Sequence, residues 1–245
     1  MANYLLVHAA WCDGSMWRHV AADLRLAGHD ARVIDQLPSV GDEPGALGDL
    51  YADAAYLRSI LDSATEDVVL VGHSYGGMVI TEVADHPRIQ HSVYLAAFWP
   101  KKGETLLDIR SAHPHEWLVP HGEGALRVTD DMAIAQEIMG ADLGDDYAEF
   151  HRNLRLQSRA SFTCTSNAPA RTHPTSYVVC EQDRSIFVAD QERMSTAANI
   201  VTRIDAAHMA PLSRPEAVTA ELLRSTSFSA ATPSDSSDRS ETGIR

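Results

Sequence analysis

Residues 67–77 read DVVLVGHSYGG, an apolar and mostly β-branched run followed at once by a serine between glycines. A continuous apolar run of this kind is typical of a strand buried on both faces of a parallel sheet. Helical spacing of apolar residues continues over 75–85 and ends before Pro87, so the serine lies on a turn between a strand and a helix. In the GHSYG motif at 72–76, the glycines allow strand and helix to approach closely, and the tight turn exposes Ser74 as a candidate nucleophile.

Outward from this turn, strand-like and helix-like segments alternate along most of the chain. This alternation predicts an α/β protein in which a parallel sheet is covered by helices. The predicted strands are 4–8, 31–34, 67–72, 92–98, 175–180 and 200–204.

One domain is predicted over 1–226, with one segment inside it that departs from the alternation. At 103–172 a polar, His-rich stretch is followed by helical patterns around 130–138 and 145–156, which indicates a cap or binding segment inserted between two strands. Residues 227–245 are rich in Ser, Thr and Asp and hold few apolar side chains, which predicts a disordered tail.

Composition excludes several classes of function. The formal net charge is −14, from 34 acidic and 20 basic residues, which argues against binding to nucleic acids or to anionic membranes. The three cysteines are too few and too scattered for a disulfide framework or a zinc motif. The apolar run at 4–11 lacks the basic start and the cleavage site of a signal peptide, and no stretch reaches the length of a membrane span. We therefore expect a cytoplasmic protein.

A serine needs a base that accepts its proton, and His208 is the candidate. It lies in a loop after the last predicted strand and before the final predicted helix at 214–224. In strand–turn–helix serine enzymes of this type the chain order is serine, acid, then histidine. His208 is in the position that this order requires.

The acid should follow a strand between the serine and the histidine. The strand at 176–180 is followed by Glu181 and Asp183, and Asp183 is our choice, with Glu181 as its rival. Asp205 is closer to His208 in sequence, but it lies where the last strand ends and is expected to structure the loop. The chosen carboxylate would orient the imidazole and stabilise the imidazolium.

Backbone N–H groups are the predicted oxyanion hole, because acyl transfer develops negative charge that needs donors already in place. One donor is the N–H of Tyr75, directly after the serine. The second is predicted in the loop after the first strand, at the N–H of Ala10. No cofactor or metal is expected: His113, His115 and His121 have no metal-ligand spacing and are interpreted as part of a solvated loop.

Four segments together resemble the small α/β-hydrolases related to plant hydroxynitrile lyases and methyl esterases. They are VHAAWCDGSMW at 7–17, VGHSYGGMV at 71–79, VCEQDRSIF at 179–187 and AAHMAPLSRPE at 206–216. The resemblance extends over about 4–224. It implies an α/β-hydrolase fold with about six mostly parallel strands, a helical cap, and a pocket between cap and sheet. It also supports Asp183 over Glu181.

Two positions depart from the pattern of the lyases in this group. The plant lyases carry Thr after the first-strand histidine and Lys directly after the catalytic histidine. This chain has Ala9 and Met209 there, so it resembles the hydrolytic branch more than the lyase branch, although esterases of the group usually carry Gly at the position of Ala9.

The leading hypothesis is hydrolysis of a small, apolar ester, thioester or lactone through an acyl-Ser74 intermediate. A non-hydrolytic lyase or tailoring enzyme with the same triad is the first alternative, because fold and triad do not determine the chemistry. A ligand receptor on a hydrolase scaffold is the second, although its expected mark, a degraded triad, is missing. The predicted partner is a small-molecule substrate, and a homodimer through the cap stays open.

Overall fold

The structure is a computed structural model that describes residues 1–229. Within this range the strands are β1 (Asn3–Val7), β2 (Asp30–Val33), β3 (Val40–Gly41), β4 (Val68–His73), β5 (Ile89–Leu95), β6 (Leu118–His121), β7 (Ala125–Val128), β8 (Leu156–Ser158), β9 (Thr175–Cys180) and β10 (Ile200–Ile204). The helices are α1 (Arg18–Leu26), α2 (Leu50–Asp62), α3 (Gly76–Glu82), α4 (Leu106–Ile109), α5 (Met132–Met139), α6 (Tyr147–Arg152), α7 (Ala160–Thr163), α8 (Val188–Ser195), α9 (Ala210–Ser213) and α10 (Pro215–Ser229).

Six strands of the described chain form one parallel sheet in the order β10-β9-β5-β4-β1-β2. All six residues of β4 are buried, as its apolar run predicts, and β1 and β5 flank it. Because the strands are parallel, their carboxyl ends meet at one edge, and the loops after β1, β4, β9 and β10 lie there. The predicted α/β class and the parallel sheet of about six strands are confirmed.

Helix α3 packs so closely on the sheet that only glycine fits at its start. Every residue of the helix is buried. A Cβ atom added to Gly76 would lie 2.9 Å from the carbonyl oxygen of His8, and one added to Gly77 would lie 2.3 Å from that of Phe98. Both distances are shorter than a carbon–oxygen contact allows, so the glycines of the motif let α3 approach β1 and the end of β5.

The segment between β5 and β9, which we call the cap, contains strands as well as the predicted helices. Strands β6, β7 and β8 form a small antiparallel sheet with β3, which lies outside the cap. The hairpin between β6 and β7 turns through Gly122 and Gly124, whose φ angles of +56° and +84° favour glycine. This sheet joins the cap to the loop that follows β2.

The two ends of the cap lie side by side. The N–H of Gly103 donates to the carbonyl of Ser166 at 2.7 Å, and the N–H of Ser166 donates to the carbonyl of Glu104 at 2.8 Å. The buried carboxylate of Glu82, at the end of α3, accepts hydrogen bonds from the Ser166 hydroxyl and from the backbone N–H of Asn167. The base of the cap is therefore tied to the helix that begins directly after Ser74.

The last described helix extends beyond the domain boundary predicted from the sequence. Helix α10 ends at Ser229, so it includes the first three residues of the predicted tail at 227–245. The remainder of that tail, 230–245, lies outside the described residues. Among the helices of residues 1–229, none combines the length and the apolar character that crossing a membrane requires.

Candidate active site

Ser74 stands on the turn between β4 and α3 in a backbone conformation that L-residues rarely adopt. Its φ angle is +55°, in the left-handed region, where a non-glycine residue costs roughly 1–3 kcal/mol. Neighbouring backbone groups hold the turn, because the Ser74 carbonyl accepts hydrogen bonds from the N–H groups of Gly77 and Phe98, both at 3.0 Å. Strain retained at such a turn is typical of a functional site.

His208 lies beside Ser74, although 134 positions separate them in the chain. It is in the loop between β10 and α9, at the same edge of the sheet, and its side chain is buried. The distance from its Nε2 to the Ser74 Oγ is 3.0 Å. This separation allows the serine hydroxyl to donate its proton to Nε2.

Asp183 completes the chain of hydrogen bonds. Its Oδ2 lies 2.8 Å from Nδ1 of His208. Because a carboxylate only accepts, Nδ1 carries the ring proton and donates a hydrogen bond to Oδ2. The other oxygen, Oδ1, accepts from the backbone N–H groups of Ser185 and Ile186 at 2.8 and 2.9 Å. The buried carboxylate is thus held in one orientation, and Nε2 of His208 is left free to accept a proton.

The rival carboxylates lie elsewhere. Glu181 and Asp205 are both exposed. The backbone of Glu181 pairs with Ile204 at the sheet edge through a 3.0 Å bond from its N–H to the Ile204 carbonyl. The structure therefore brings Asp183 to His208, and it leaves Glu181 and Asp205 in solvent.

Gln191 is a further residue at this site, and the sequence analysis missed it. From α8 its fully buried side chain donates to Asp183 Oδ2 at 3.0 Å and to the carbonyl of Ile186 at 2.8 Å, and it accepts from the N–H of Cys180 at 3.0 Å. It thereby joins the end of β9 to the carboxylate. One signal was present in the sequence: a polar residue three positions before Met194, on the face of α8 that packs inward.

A second buried histidine lies against His208. The ring centroid of His73 is 4.8 Å from that of His208, and His73 Nδ1 donates to the Leu95 carbonyl at 2.9 Å. Burial, and then the proximity of His208, hold the pKa of His73 well below its ordinary value. His73 is therefore neutral, and it places no competing charge beside the Asp183–His208 pair.

The predicted oxyanion donors lie at two neighbouring loops of the sheet edge. Tyr75 is the N-cap residue of α3, directly after Ser74, and Ala10 follows β1. Within the described chain, neither backbone N–H donates a hydrogen bond to another protein group. Both N–H groups therefore remain available as donors.

Aromatic side chains from the core and the cap pack together over the loop after β1. Trp11 contacts Trp117 and Phe162 edge-on, with ring centroids 5.3 and 5.5 Å apart, and Phe162 also lies 5.8 Å from Tyr75. The indole N–H of Trp117 is buried and has no hydrogen-bond partner in residues 1–229. The cluster therefore joins the cap to the loop after β1 and to Tyr75, the residue directly after Ser74.

Asp53 is a buried carboxylate close to the site but outside the Ser74–His208–Asp183 chain. Its oxygens accept the Tyr75 hydroxyl at 2.6 Å and the Ser39 backbone N–H at 2.8 Å. Burial raises the pKa of Asp53 to about 6, and these two hydrogen bonds oppose the shift without cancelling it.

The raised pKa of Asp53 predicts a pH-dependent loss of stability. The folded protein binds this proton more tightly than the unfolded chain, so stability is lost as pH rises from the unfolded pKa near 4 to the folded pKa near 6. We expect the free energy of unfolding of Asp53→Asn, relative to wild type, to rise by about 1–3 kcal/mol between pH 4 and pH 8. Urea unfolding across this range measures the difference. For the exposed control Asp145→Asn, the free energy of unfolding should change with pH as it does in wild type. The prediction would be contradicted if the free energy of unfolding of Asp53→Asn also followed the wild-type pH dependence.

No metal site is apparent within residues 1–229, since no group of three or more His, Cys, Asp or Glu side chains is suitably arranged there. Of the predicted solvated histidines, His113 stacks on Phe187 with ring centroids 5.5 Å apart, and His115 lies beside it. Four surface cavities of the described chain lie apart from the catalytic candidates, and none of the four is lined by Ser74 or His208.

A family model described as the alpha/beta hydrolase family matches residues 4–222. The chain belongs to this family. Its relatives include plant esterases and methylesterases, so the resemblance predicted from the four motifs is confirmed.

Two curated relatives match this alpha/beta hydrolase over part of its length. The carbendazim hydrolyzing esterase of Nocardioides sp. (strain SG-4G) is 45% identical over 114 residues, which is 44% of this chain and 46% of the relative. Esterase PIR7B of Oryza sativa subsp. japonica is 34% identical over 107 residues, or 40% of this chain and 38% of the relative. The chain thus matches less than half the length of each.

Solved structures show the same fold over nearly the whole chain. The crystal structure of a pyrethroid hydrolase from Sphingobium faniae JZ-2 superposes with a TM-score of 0.80 and 21% identity. The superposition covers 94% of this chain and 98% of that one. At this identity the likeness establishes the α/β-hydrolase fold alone.

Proposed function

We propose that this alpha/beta hydrolase hydrolyses small, apolar carboxylic esters through an acyl-Ser74 intermediate. The observation that carries the proposal is the continuous buried hydrogen-bond chain from Ser74 through His208 to Asp183, with distances of 3.0 and 2.8 Å. The esterase names of its relatives support the same reaction class. Thioesters and lactones present the same carbonyl group and belong to the substrate class.

The first half of the reaction forms the acyl enzyme. His208 Nε2 takes the proton of Ser74 as Oγ attacks the ester carbonyl, and the carbonyl oxygen becomes an oxyanion that accepts the N–H groups of Ala10 and Tyr75. The tetrahedral intermediate then loses its alcohol, which takes the proton from His208. Asp183 stabilises the imidazolium throughout.

The second half releases the acid. Water replaces the alcohol beside His208, which removes one proton from the water as its oxygen attacks the acyl carbonyl. Collapse of this second intermediate frees the carboxylic acid and returns the proton to Ser74. All the protons are accounted for by one histidine, one serine, the water and the leaving alcohol.

The apolar character of the substrate is inferred from the aromatic cluster. Trp11, Trp117 and Phe162 are buried, and Phe162 also packs beside Tyr75, so they make this part of the site apolar, which favours an apolar acyl or alcohol group. The side chain directly after His208 is the buried, uncharged Met209, which favours hydrolysis over a lyase reaction assisted by a cation at that position.

The experiment that tests this function combines turnover with covalent labelling. We expect the wild-type protein to release p-nitrophenol from p-nitrophenyl acetate and butyrate, and a fluorophosphonate to add to Ser74 alone and abolish turnover. Mass spectrometry of the peptide that contains Ser74 identifies the modified residue. Ser59→Ala, which removes an exposed hydroxyl on α2, is the control and should keep both properties. Absence of turnover, or labelling at another residue, would contradict the proposal.

A further inference from the structure

Gln157 is a fully buried polar residue of the cap whose amide is saturated with hydrogen bonds. It lies in β8. Its Oε1 accepts the backbone N–H of Trp11 at 3.3 Å, and its Nε2 donates to the hydroxyls of Ser39 at 2.9 Å and Ser161 at 2.7 Å. Replacing a buried amide that has these partners costs free energy of folding, because each former partner loses its hydrogen bond and remains buried away from water.

The backbone of Trp11 is strained. Within the described residues, the hydrogen bonds that hold Trp11 are made by residues of the cap. Its φ angle is +60°, which is unusual for a bulky residue. Besides its bond to Gln157, the Trp11 carbonyl accepts the Arg155 N–H at 2.8 Å and its indole N–H donates to the Leu126 carbonyl at 3.1 Å. Trp11 directly follows Ala10, so the hydrogen bonds that hold its left-handed backbone fix the peptide between these two residues and restrict where Ala10 can lie.

The same hydrogen-bond chain continues to the second predicted donor. Ser39, which accepts from Gln157 through its hydroxyl, donates its backbone N–H to Asp53 at 2.8 Å, and Asp53 accepts the Tyr75 hydroxyl at 2.6 Å. The carbonyl of Ser39 also accepts the N–H of Ser158, next to Gln157 in β8. One buried chain therefore runs from the backbone of Trp11 through Gln157, Ser39 and Asp53 to the ring of Tyr75.

We propose that Gln157 is a positioning residue of the oxyanion hole, which orients the N–H groups of Ala10 and Tyr75 through this buried chain. The inference rests on the proposed acyl-Ser74 mechanism, to which it assigns a role for the cap. The cap then does more than cover the substrate, because it holds the strained loop in the form that binds the oxyanion.

This role predicts a specific kinetic signature. The oxyanion exists in the transition state and not in the bound ester, so misplaced donors lower kcat and leave ground-state binding largely intact. A residue that only supports packing would lower the fraction of folded protein, which changes the number of active sites but neither KM nor the affinity of each site. The two roles are therefore separable by active-site titration.

The test replaces Gln157 with methionine, which has similar length and makes no strong hydrogen bonds. We expect kcat per titrated site for p-nitrophenyl butyrate to fall by about 10- to 100-fold, with KM within about threefold of wild type. The affinity for butylboronic acid, whose tetrahedral adduct on Ser74 places an oxygen at the oxyanion position, should weaken in parallel with kcat/KM. Gln136→Met is the matched control, because Gln136 is a cap glutamine whose amide bonds only to the Gly144 carbonyl at the surface.

A second variant covers the case in which Gln157→Met does not fold. Ser39→Ala removes one acceptor of the Gln157 amide and keeps the backbone bond to Asp53, and we expect a fall in kcat of about 3- to 10-fold at unchanged KM. If folded Gln157→Met keeps kcat within about twofold, or if Ser39→Ala does so when Gln157→Met is unfolded, the inference is overturned while the acyl-serine mechanism stands. If wild type does not hydrolyse esters, the proposed function fails and the inference fails with it.

Discussion

Replacement of Ser74 by alanine is expected to lower kcat for p-nitrophenyl butyrate by about 10⁴- to 10⁶-fold, the range seen when serine hydrolases lose their nucleophile. The hydroxyl is the only group removed, and it lies 3.0 Å from His208 Nε2. Without it no acyl enzyme forms, and residual turnover comes from water attacking a bound ester. The substitution should preserve folding, because the φ angle of +55° is no harder for alanine than for serine.

Stopped-flow and steady-state release of p-nitrophenol measure this loss. The wild type should show a burst equal to the enzyme concentration if deacylation is slower than acylation, and the variant should show none. Ser59→Ala, with its hydroxyl on the exposed side of α2, should match wild type. A Ser74→Ala protein that keeps more than about a tenth of the wild-type kcat would show that the ester is cleaved elsewhere.

Replacement of Asp183 by asparagine is expected to lower kcat by about 10³- to 10⁴-fold, because it reverses the tautomer of His208. Oδ1 accepts two backbone N–H groups, from Ser185 and Ile186. The amide oxygen of an asparagine is therefore favoured in that position, because it keeps both backbone bonds and loses only the one from Gln191, and its NH₂ group then faces His208 Nδ1. Nδ1 then becomes an acceptor and Nε2 carries the proton, so His208 can no longer take a proton from Ser74.

The Asp183 prediction has a close control in the same loop. Glu181→Gln makes the same change of charge at an exposed carboxylate, and we expect it to leave kcat and KM unchanged. If Asp183→Asn and Glu181→Gln lowered kcat by the same factor, Asp183 would act only through its charge and not through its hydrogen bond to His208. Thermal unfolding of both variants shows whether loss of the native fold contributes.

Much of the fold follows from local sequence pattern. The apolar run of β4 and the glycines after it determine a buried strand and a closely packed helix, because each depends on neighbours in the chain. Boundaries were less well predicted. The strand predicted at 92–98 corresponds to β5, which spans Ile89–Leu95 and ends where Ala96 turns the chain with a φ angle of +40°.

The cap was predicted less completely than the sheet. Its polar composition indicated an insertion, and its helical stretches near 130–138 and 145–156 match α5 and α6. Its small sheet was not predicted, because β8 is only three residues long and pairs with the distant β3. Two-residue and three-residue strands have no periodicity of their own, and only their partner defines them.

The sequence by itself determined the α/β class, the strained serine turn and the chain order of Ser74, Asp183 and His208. These are properties of short segments and of their order, and the resemblance to α/β-hydrolases depends on the same segments. Tertiary structure showed how the chosen carboxylate reaches His208. Asp183 does so because Ser185, Ile186 and Gln191 hold it inward, while the nearby Glu181 remains in solvent.

Tertiary structure alone also decided that the cap holds the loop after β1. Gln157 and Trp11 are 146 positions apart, and their hydrogen bond exists because β8 of the cap lies against the loop that follows β1. The pattern of a segment predicts its secondary structure but does not predict which distant segment it will contact. Contacts of this kind depend on how complete layers pack. For this reason the sequence predicted the candidate groups, and only the structure showed which residues hold them in place.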